Sequence, residues 1–164
     1  MKKYRVGMYG GKFMPFHKGH YYCLKTAVKE CEIVHLIMFY GGVQEKKIIL
    51  HNMDEYLSIK DRFNKLKSIV NKFDNVYLSL IDVSSLVKKD GSEDWDAETP
   101  LVRKVVGEKL DAVYSSELSY DDYFKRAYPE AIHRVVDSKR EKYPISGTKI
   151  RNMKNKKERE KWII

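Results

Sequence analysis

Five short apolar runs, separated by amphipathic helical stretches or polar loops, limit the folds open to this chain more than any other feature. The run from Tyr4 to Tyr9 ends in Gly10-Gly11, as a buried strand does when it stops at a tight turn. From His20 onward Leu24, Ala27, Val28 and Cys31 recur at i, i+3, i+4 and i+7, which predicts a helix with one apolar face. Ile33 to Tyr40 is nearly continuous in apolar residues and too short for a typical helix, so it predicts a strand covered on both faces.

The alternation then repeats. Ser58 with Asp61 resembles a capping box, and Ile59, Phe63, Leu66, Val70 and Phe73 mark the buried stripe of a second helix. Val76 to Ile81 predicts the third strand. Thr99 as N-cap and Pro100 at the first helical position, followed by Leu101, Val102, Val105 and Val106, predict a third helix. A fourth strand is expected over Ala112 to Tyr114, a fourth helix opened by Ser119 with Asp122, a fifth strand over Ile132 to Val136, and a last helical segment opened by Ser146. Strands that alternate with helices imply right-handed crossovers and a parallel sheet. The expectation is a Rossmann-like α/β fold, a parallel five-stranded sheet with helices on both faces, in a single domain over residues 1–164. Gly41 to Leu57 and Lys88 to Glu98, the latter with an Asp90-Gly91 turn signal, escape the pattern as long irregular segments. Such segments at the carboxyl ends of parallel strands often carry substrate contacts.

The chain has 164 residues, with 32 lysines and arginines against 23 aspartates and glutamates, and the excess of +9 favours anionic partners. No stretch approaches the ~18 apolar residues of a membrane span, and the N-terminus does not read as a signal peptide, so a cytoplasmic protein without membrane partners is expected. Cys23 and Cys31, placed eight residues apart in one helix, are too distant to pair and read as buried small hydrophobes.

Residues 10–20 read GGKFMPFHKGH, a glycine turn between a strand and a helix start. Glycines let a ligand approach the backbone, and the unpaired amides at a helix N-terminus favour phosphate. His17 and His20, three apart, can present both imidazoles to one anion. A zinc pair is the competing reading, but the other histidines and cysteines show no matching ligand spacing, and no residue is assigned to a metal. Residues 145–151 read ISGTKIR: Ser146 is a good N-cap, a helix starting there offers amides and two hydroxyls, and Lys149 and Arg151 add charge. Taken alone, that stretch also suits an ordinary capped surface helix.

Gly11, Phe13, Pro15, His17, Gly19 and His20 match the extended HxGH signature, and ISGTKIR matches the ISxTxxR signature, of the HxGH nucleotidyltransferase superfamily. Within it the chain most resembles the adenylyltransferase domain of the bacterial bifunctional nicotinamide-nucleotide adenylyltransferase and ribosylnicotinamide kinase. GKFMPFHKGH, Tyr114-Ser115-Ser116-Glu117 and the run from Val136-Asp137 through Arg140 carry that resemblance. No P-loop is present, so only adenylyl transfer carries over. The resemblance implies ATP and nicotinamide mononucleotide as substrates, with Mg2+ accompanying ATP, and NAD and pyrophosphate as products. It further implies that Lys12, His17, His20 and Arg151 surround the phosphates, with Ser146 and Thr148 on the β- and γ-phosphates. Gly10, Gly11, Phe13, Gly19, Ile145 and Gly147 would then shape the ATP site. Trp95 is the candidate aromatic face for the cationic pyridine ring, its alternative being loop packing. Asp137 and Arg140 are acceptor-side candidates, or simply a salt bridge with each other. Arg62 reads as a helix surface residue and stays outside the expected site.

Two alternatives keep other functions open. Pantetheine-phosphate adenylyltransferases and small cytidylyltransferases share both signatures. A different class, nucleic-acid binding, is suggested by the tail, where ten lysines and arginines between Lys139 and Lys161 face three glutamates. No aromatic-interleaved platform accompanies that tail, and a solvated helix face explains Lys154 to Lys161 more simply.

Overall fold

The structure is a computed structural model that describes residues 1–52 and 54–164. Five strands, β1 (Tyr4–Gly11), β2 (Cys31–Tyr40), β3 (Val76–Asp82), β4 (Ala112–Ser115) and β5 (Ile132–Val135), form one parallel sheet in the order β3-β2-β1-β4-β5. The α-helices are α1 (Lys18–Glu30), α2 (Val43–His51), α3 (Ile59–Val70), α4 (Trp95–Val106), α5 (Asp121–Ala127), α6 (Gly147–Asn152) and α7 (Lys156–Glu160). Successive strand residues point to opposite faces, and two apolar clusters follow that alternation. On one face Val34, Leu36 and Met38 of β2 and Ala112 and Tyr114 of β4 pack with Cys23, Leu24 and Ala27 of α1 and Leu66 and Ile69 of α3. On the other, Val6 and Met8 of β1, Ile37 and Val113 pack with Val102 and Val106 of α4 and Ala127 of α5. The expected helix-covered Rossmann-like sheet is therefore what the residues build, and the chain's direction across it reverses between β1 and β4. At such a switch point the carboxyl ends of the strands open into a crevice.

Several element boundaries differ from the sequence expectation. Cys31 begins β2 instead of closing α1: the helix runs directly into the strand, with the Cys31 amide still donating to the Ala27 carbonyl. Both cysteines are buried and free, as expected. The buried stripe of α3 is Arg62, Leu66 and Ile69, while Ile59 is exposed and Phe73 lies past the helix end. Helix α4 starts at Trp95, not at Pro100, because the Asp94 carboxylate caps it by accepting from the Ala97 amide at 3.1 Å; the Thr99 hydroxyl is instead 3.0 Å from the Tyr123 hydroxyl. Ser119 falls in a 3₁₀ turn over Leu118–Tyr120, and α5 follows from Asp121. The segment expected to be irregular over Gly41 to Leu57 contains α2 and a 3₁₀ turn over Glu55–Leu57, with Met53 outside the described residues. The Asp90-Gly91 turn forms as expected, with Gly91 at φ 84° and the Lys88 amide donating to the Ser92 carbonyl at 2.8 Å. Among the described residues no helix is long and apolar enough to cross a membrane.

After α7 the chain returns to the start of α1. Ile163 makes an antiparallel bridge with His17, and the Lys18 amide donates to the Trp162 carbonyl at 2.8 Å.

Candidate active site

The crevice beyond β1 and β4 holds a cavity of about 320 Å³ lined by Gly10, Gly11, Lys12, Phe13, His17, Gly19, His20, Trp95, Arg140, Gly147 and Arg151 among others. The volume is within the range of small-molecule sites. The glycine turn and the far ISGTKIR segment thus converge on one pocket. Their junction is direct: Arg151 Nη1 donates to the Met14 carbonyl at 2.7 Å. Gly147 leaves room for this closure, since a Cβ there would lie 2.8 Å from Arg151 Nη1 and 3.1 Å from the Met14 carbonyl oxygen.

The two histidines cap α1 reciprocally. His17 Nδ1 accepts from the amides of Gly19 at 3.1 Å and His20 at 3.4 Å, and His20 Nδ1 accepts from the His17 amide at 3.2 Å. A neutral imidazole whose Nδ1 accepts carries its proton on Nε2. Both rings therefore keep an Nε2–H donor, and they stack with centroids 3.7 Å apart. Burial, followed by the neighbouring Arg140 charge, lowers His17 to about 4. Burial, then His17 and Arg140, pushes His20 well below its ordinary value. Both are neutral donors at neutral pH. Phe13 supports them from below, its ring 5.1 Å from that of His20. Phe13 and Arg140 have φ values of 55° and 53°, a left-handed backbone that costs a side-chain-bearing residue roughly 1–2 kcal/mol and is typical of functional sites.

Another part of the lining has different chemistry. Trp95, Tyr120, Tyr123 and Phe124 form it, with the Trp95 ring 5.2 Å from Tyr120 and 5.5 Å from Tyr123, both edge-on. Glu93 and Glu98 line the pocket as well. Glu93 Oε2 is 3.3 Å from Lys12 Nζ and 3.3 Å from Trp95 Nε1, while its other oxygen accepts from the Gln44 amide at 3.1 Å. Burial opposes ionisation of Glu93, yet Lys12, the Gln44 amide and the Trp95 donor outweigh it and hold the carboxyl below its ordinary value. Burial, then the like charge of Glu93, pushes Glu98 up to about 7.

Other expected residues sit beside the pocket. Ile145 is buried behind Gly19, Ser146 caps α6 by accepting from the Lys149 amide at 3.1 Å, and the Thr148 hydroxyl accepts from Arg151 at 3.3 Å. Asp137 does not line the cavity and does not pair with Arg140. Its carboxylate accepts the amides of Glu141, Lys142 and Tyr143 and so shapes the loop. Arg140 pairs with Glu117 at 2.7 Å and donates to the Ile145 carbonyl at 2.9 Å. The Ser115 hydroxyl, 2.6 Å from His133 Nε2, accepts the Glu117 amide and holds the turn that presents Glu117 to Arg140.

Arg62 is the main correction. It is 3% exposed, not a surface residue, and it donates to the Lys12 carbonyl at 2.8 Å, to the Leu57 carbonyl at 2.9 Å and to the buried Glu45 carboxylate. Glu45 in turn accepts the Gly41 amide. This buried pair fixes the glycine turn from behind, a task for which Arg is suited by its fork of donors. Hydrophobic patterning counts an arginine as outward, so the only signal was its place in the 62-66-69 stripe. Glu93 and Glu98 were missed because the misplaced start of α4 left Trp95 and Glu98 in a loop instead of one helical turn apart.

Residues 8–153 match the cytidylyltransferase-like family, a span that covers both signature segments, the end of β1 and all of β2 to β5. The chain belongs to this family. These HxGH nucleotidyltransferases include the trifunctional NAD biosynthesis/regulator protein NadR of Escherichia coli (strain K12), to which the chain is 25% identical over 155 residues, 92% of the chain and 37% of that protein. It is 26% identical over 136 residues to the probable nicotinate-nucleotide adenylyltransferase of Endomicrobium trichonymphae, covering 82% of the chain and 54% of the relative. It is also 26% identical over 151 residues to the phosphopantetheine adenylyltransferase of Mycoplasma mycoides subsp. mycoides SC, covering 91% of the chain and 96% of the relative. The chain thus spans between about a third and about half of the first two of these family members. Its fold matches the NadR protein solved in complex with NAD and AMP-PNP, with a TM-score of 0.70 at 22% identity over 99% of the chain and 46% of that structure.

Proposed function

We propose that the chain transfers AMP from magnesium-bound ATP to nicotinamide mononucleotide, giving NAD and pyrophosphate. The observation that carries this reading is the lining of one pocket, which brings the donors and cations His17, His20, Lys12 and Arg151 together with aromatic rings and the carboxyl groups of Glu93 and Glu98. In such a transfer a phosphate oxygen of the acceptor attacks the α-phosphorus, the bond to the β-phosphate oxygen breaks, and pyrophosphate leaves. Phosphoryl chemistry of this kind depends on positioning and on donors placed where charge accumulates. Lys12, His17, His20 and Arg151 would meet the phosphates, the histidines as Nε2–H donors whose proton affinity rises as anionic oxygens replace water. Ser146 and Thr148 would add hydroxyls at the β- and γ-phosphates. Magnesium enters with the triphosphate as part of the substrate.

The flat pyridinium would find an aromatic face in Trp95 and counter-charge in Glu93, with Glu98 adding to it as it ionises, a combination that suits a cation. The phosphopantetheine reading is favoured by one observation, the near full-length match to such an enzyme. A pantetheine arm, however, offers these carboxyl groups N–H and O–H donors but no cationic ring. The basic tail also favours a nucleotide site over a nucleic-acid surface, because two of its cations, Arg140 and Arg151, line the pocket.

The test is incubation with magnesium, ATP and each acceptor in turn. NAD and pyrophosphate are expected with nicotinamide mononucleotide. Pyrophosphate release with phosphopantetheine alone would overturn the proposal, and retention on DNA with no turnover of any acceptor would support the nucleic-acid class instead.

A further inference from the structure

We infer that Glu93 and Glu98 make the acceptor site selective for the pyridine carboxamide over the corresponding carboxylic acid. This rests on the pyridine-nucleotide reading above and deepens it. The two side chains flank Trp95 on either side in the sequence, both line the pocket, and Glu93 Oε2 is 3.3 Å from the Trp95 indole nitrogen. A pyridine ring laid on Trp95 would carry its ring substituent toward the Glu93 carboxylate and toward Glu98, which is ionised in part at neutral pH. A carboxamide offers these oxygens N–H donors and no charge. A nicotinate carboxylate offers only lone pairs and adds another negative charge.

The neighbouring charges do not cancel this bias. Lys12 offsets Glu93 through its 3.3 Å contact, but Glu98 faces Glu93, Asp94 and Lys12 together, two acids against one base. Rejection through like charge is a stronger filter than shape, since the two substituents are nearly the same size.

The experiment compares kcat/KM for nicotinamide and nicotinate mononucleotides, at one saturating level of magnesium and ATP, in the wild type, Glu93→Gln and Glu98→Gln. The wild type should prefer the amide by roughly 10- to 100-fold. Each glutamine should lower that ratio at least severalfold, because its amide can donate to a carboxylate. A ratio measured on one preparation is insensitive to any fraction of misfolded variant. Calorimetric binding of NAD and its deamidated counterpart to the same three proteins gives a second reading without turnover. Equal use of both nucleotides by the wild type, or an unchanged ratio in both variants, overturns the inference while the proposed reaction stands. Turnover of phosphopantetheine with neither pyridine nucleotide removes the reaction and the inference together.

Discussion

Glu98→Gln should stabilise the protein at alkaline pH and leave it nearly unchanged in acid. A carboxyl held at about 7 instead of its ordinary 4.5 means that the folded state disfavours the charged form. At about 1.4 kcal/mol per pH unit, this amounts to roughly 3 kcal/mol. The sign follows from proton counting. Between pH 4.5 and 7 the folded protein binds more of this proton than the unfolded chain does, so this contribution to stability is complete below pH 4.5 and is lost as the pH rises to 7. Glutamine is neutral in both states and has nearly the same shape, so the variant escapes the loss. The gain should approach about 3 kcal/mol at pH 8, a Tm increase on the order of 6–12 °C for a chain of this size, and vanish near pH 4.5. Urea unfolding of both proteins at the two pH values measures it directly, and other titrations common to both cancel in the difference. Equal gains at both pH values, or none at pH 8, would show that burial and Glu93 do not hold the carboxyl where the geometry places it.

Three further outcomes are expected. His17 is lowered to about 4, so folding excludes its proton and stability falls as the pH drops from 6.5 toward 4. His17→Asn, which preserves a side-chain cap for α1, should flatten that decline in denaturant titrations at pH 7 and 5, and an unaltered slope would refute the assignment. His20→Ala should reduce turnover by roughly 100-fold or more while costing about 1 kcal/mol of capping, seen as only a few degrees in Tm; unchanged turnover removes His20 from the site. Glu45→Ala should cost about 3–5 kcal/mol by leaving the buried Arg62 charge unpaired, and a loss below about 1 kcal/mol in chemical unfolding would contradict the burial of that pair.

The sheet was legible because its strands are covered on both faces and read as continuous apolar runs, and because the glycine turn and ISGTKIR each mark a strand or loop passing into a helix. The convergence of those two segments was readable from the parallel topology alone. Boundaries slipped where two signals competed. Thr99-Pro100 is a strong helix start, but Asp94 captures the Ala97 amide first and extends α4 by a turn and a half. Arg62 and Glu45 could not be read together, since a buried ion pair leaves no periodic trace when its members stand 17 residues apart. Asp137 was placed near the acceptor because it follows β5, whereas its carboxylate is consumed by three backbone amides of its own loop.

The bond from Arg151 to the Met14 carbonyl joins residues 137 positions apart. During synthesis the glycine turn and both histidines are made well before Arg151, so a nascent chain carries one wall of the crevice before the other exists. The crevice is complete only once the late-made wall has closed against the first.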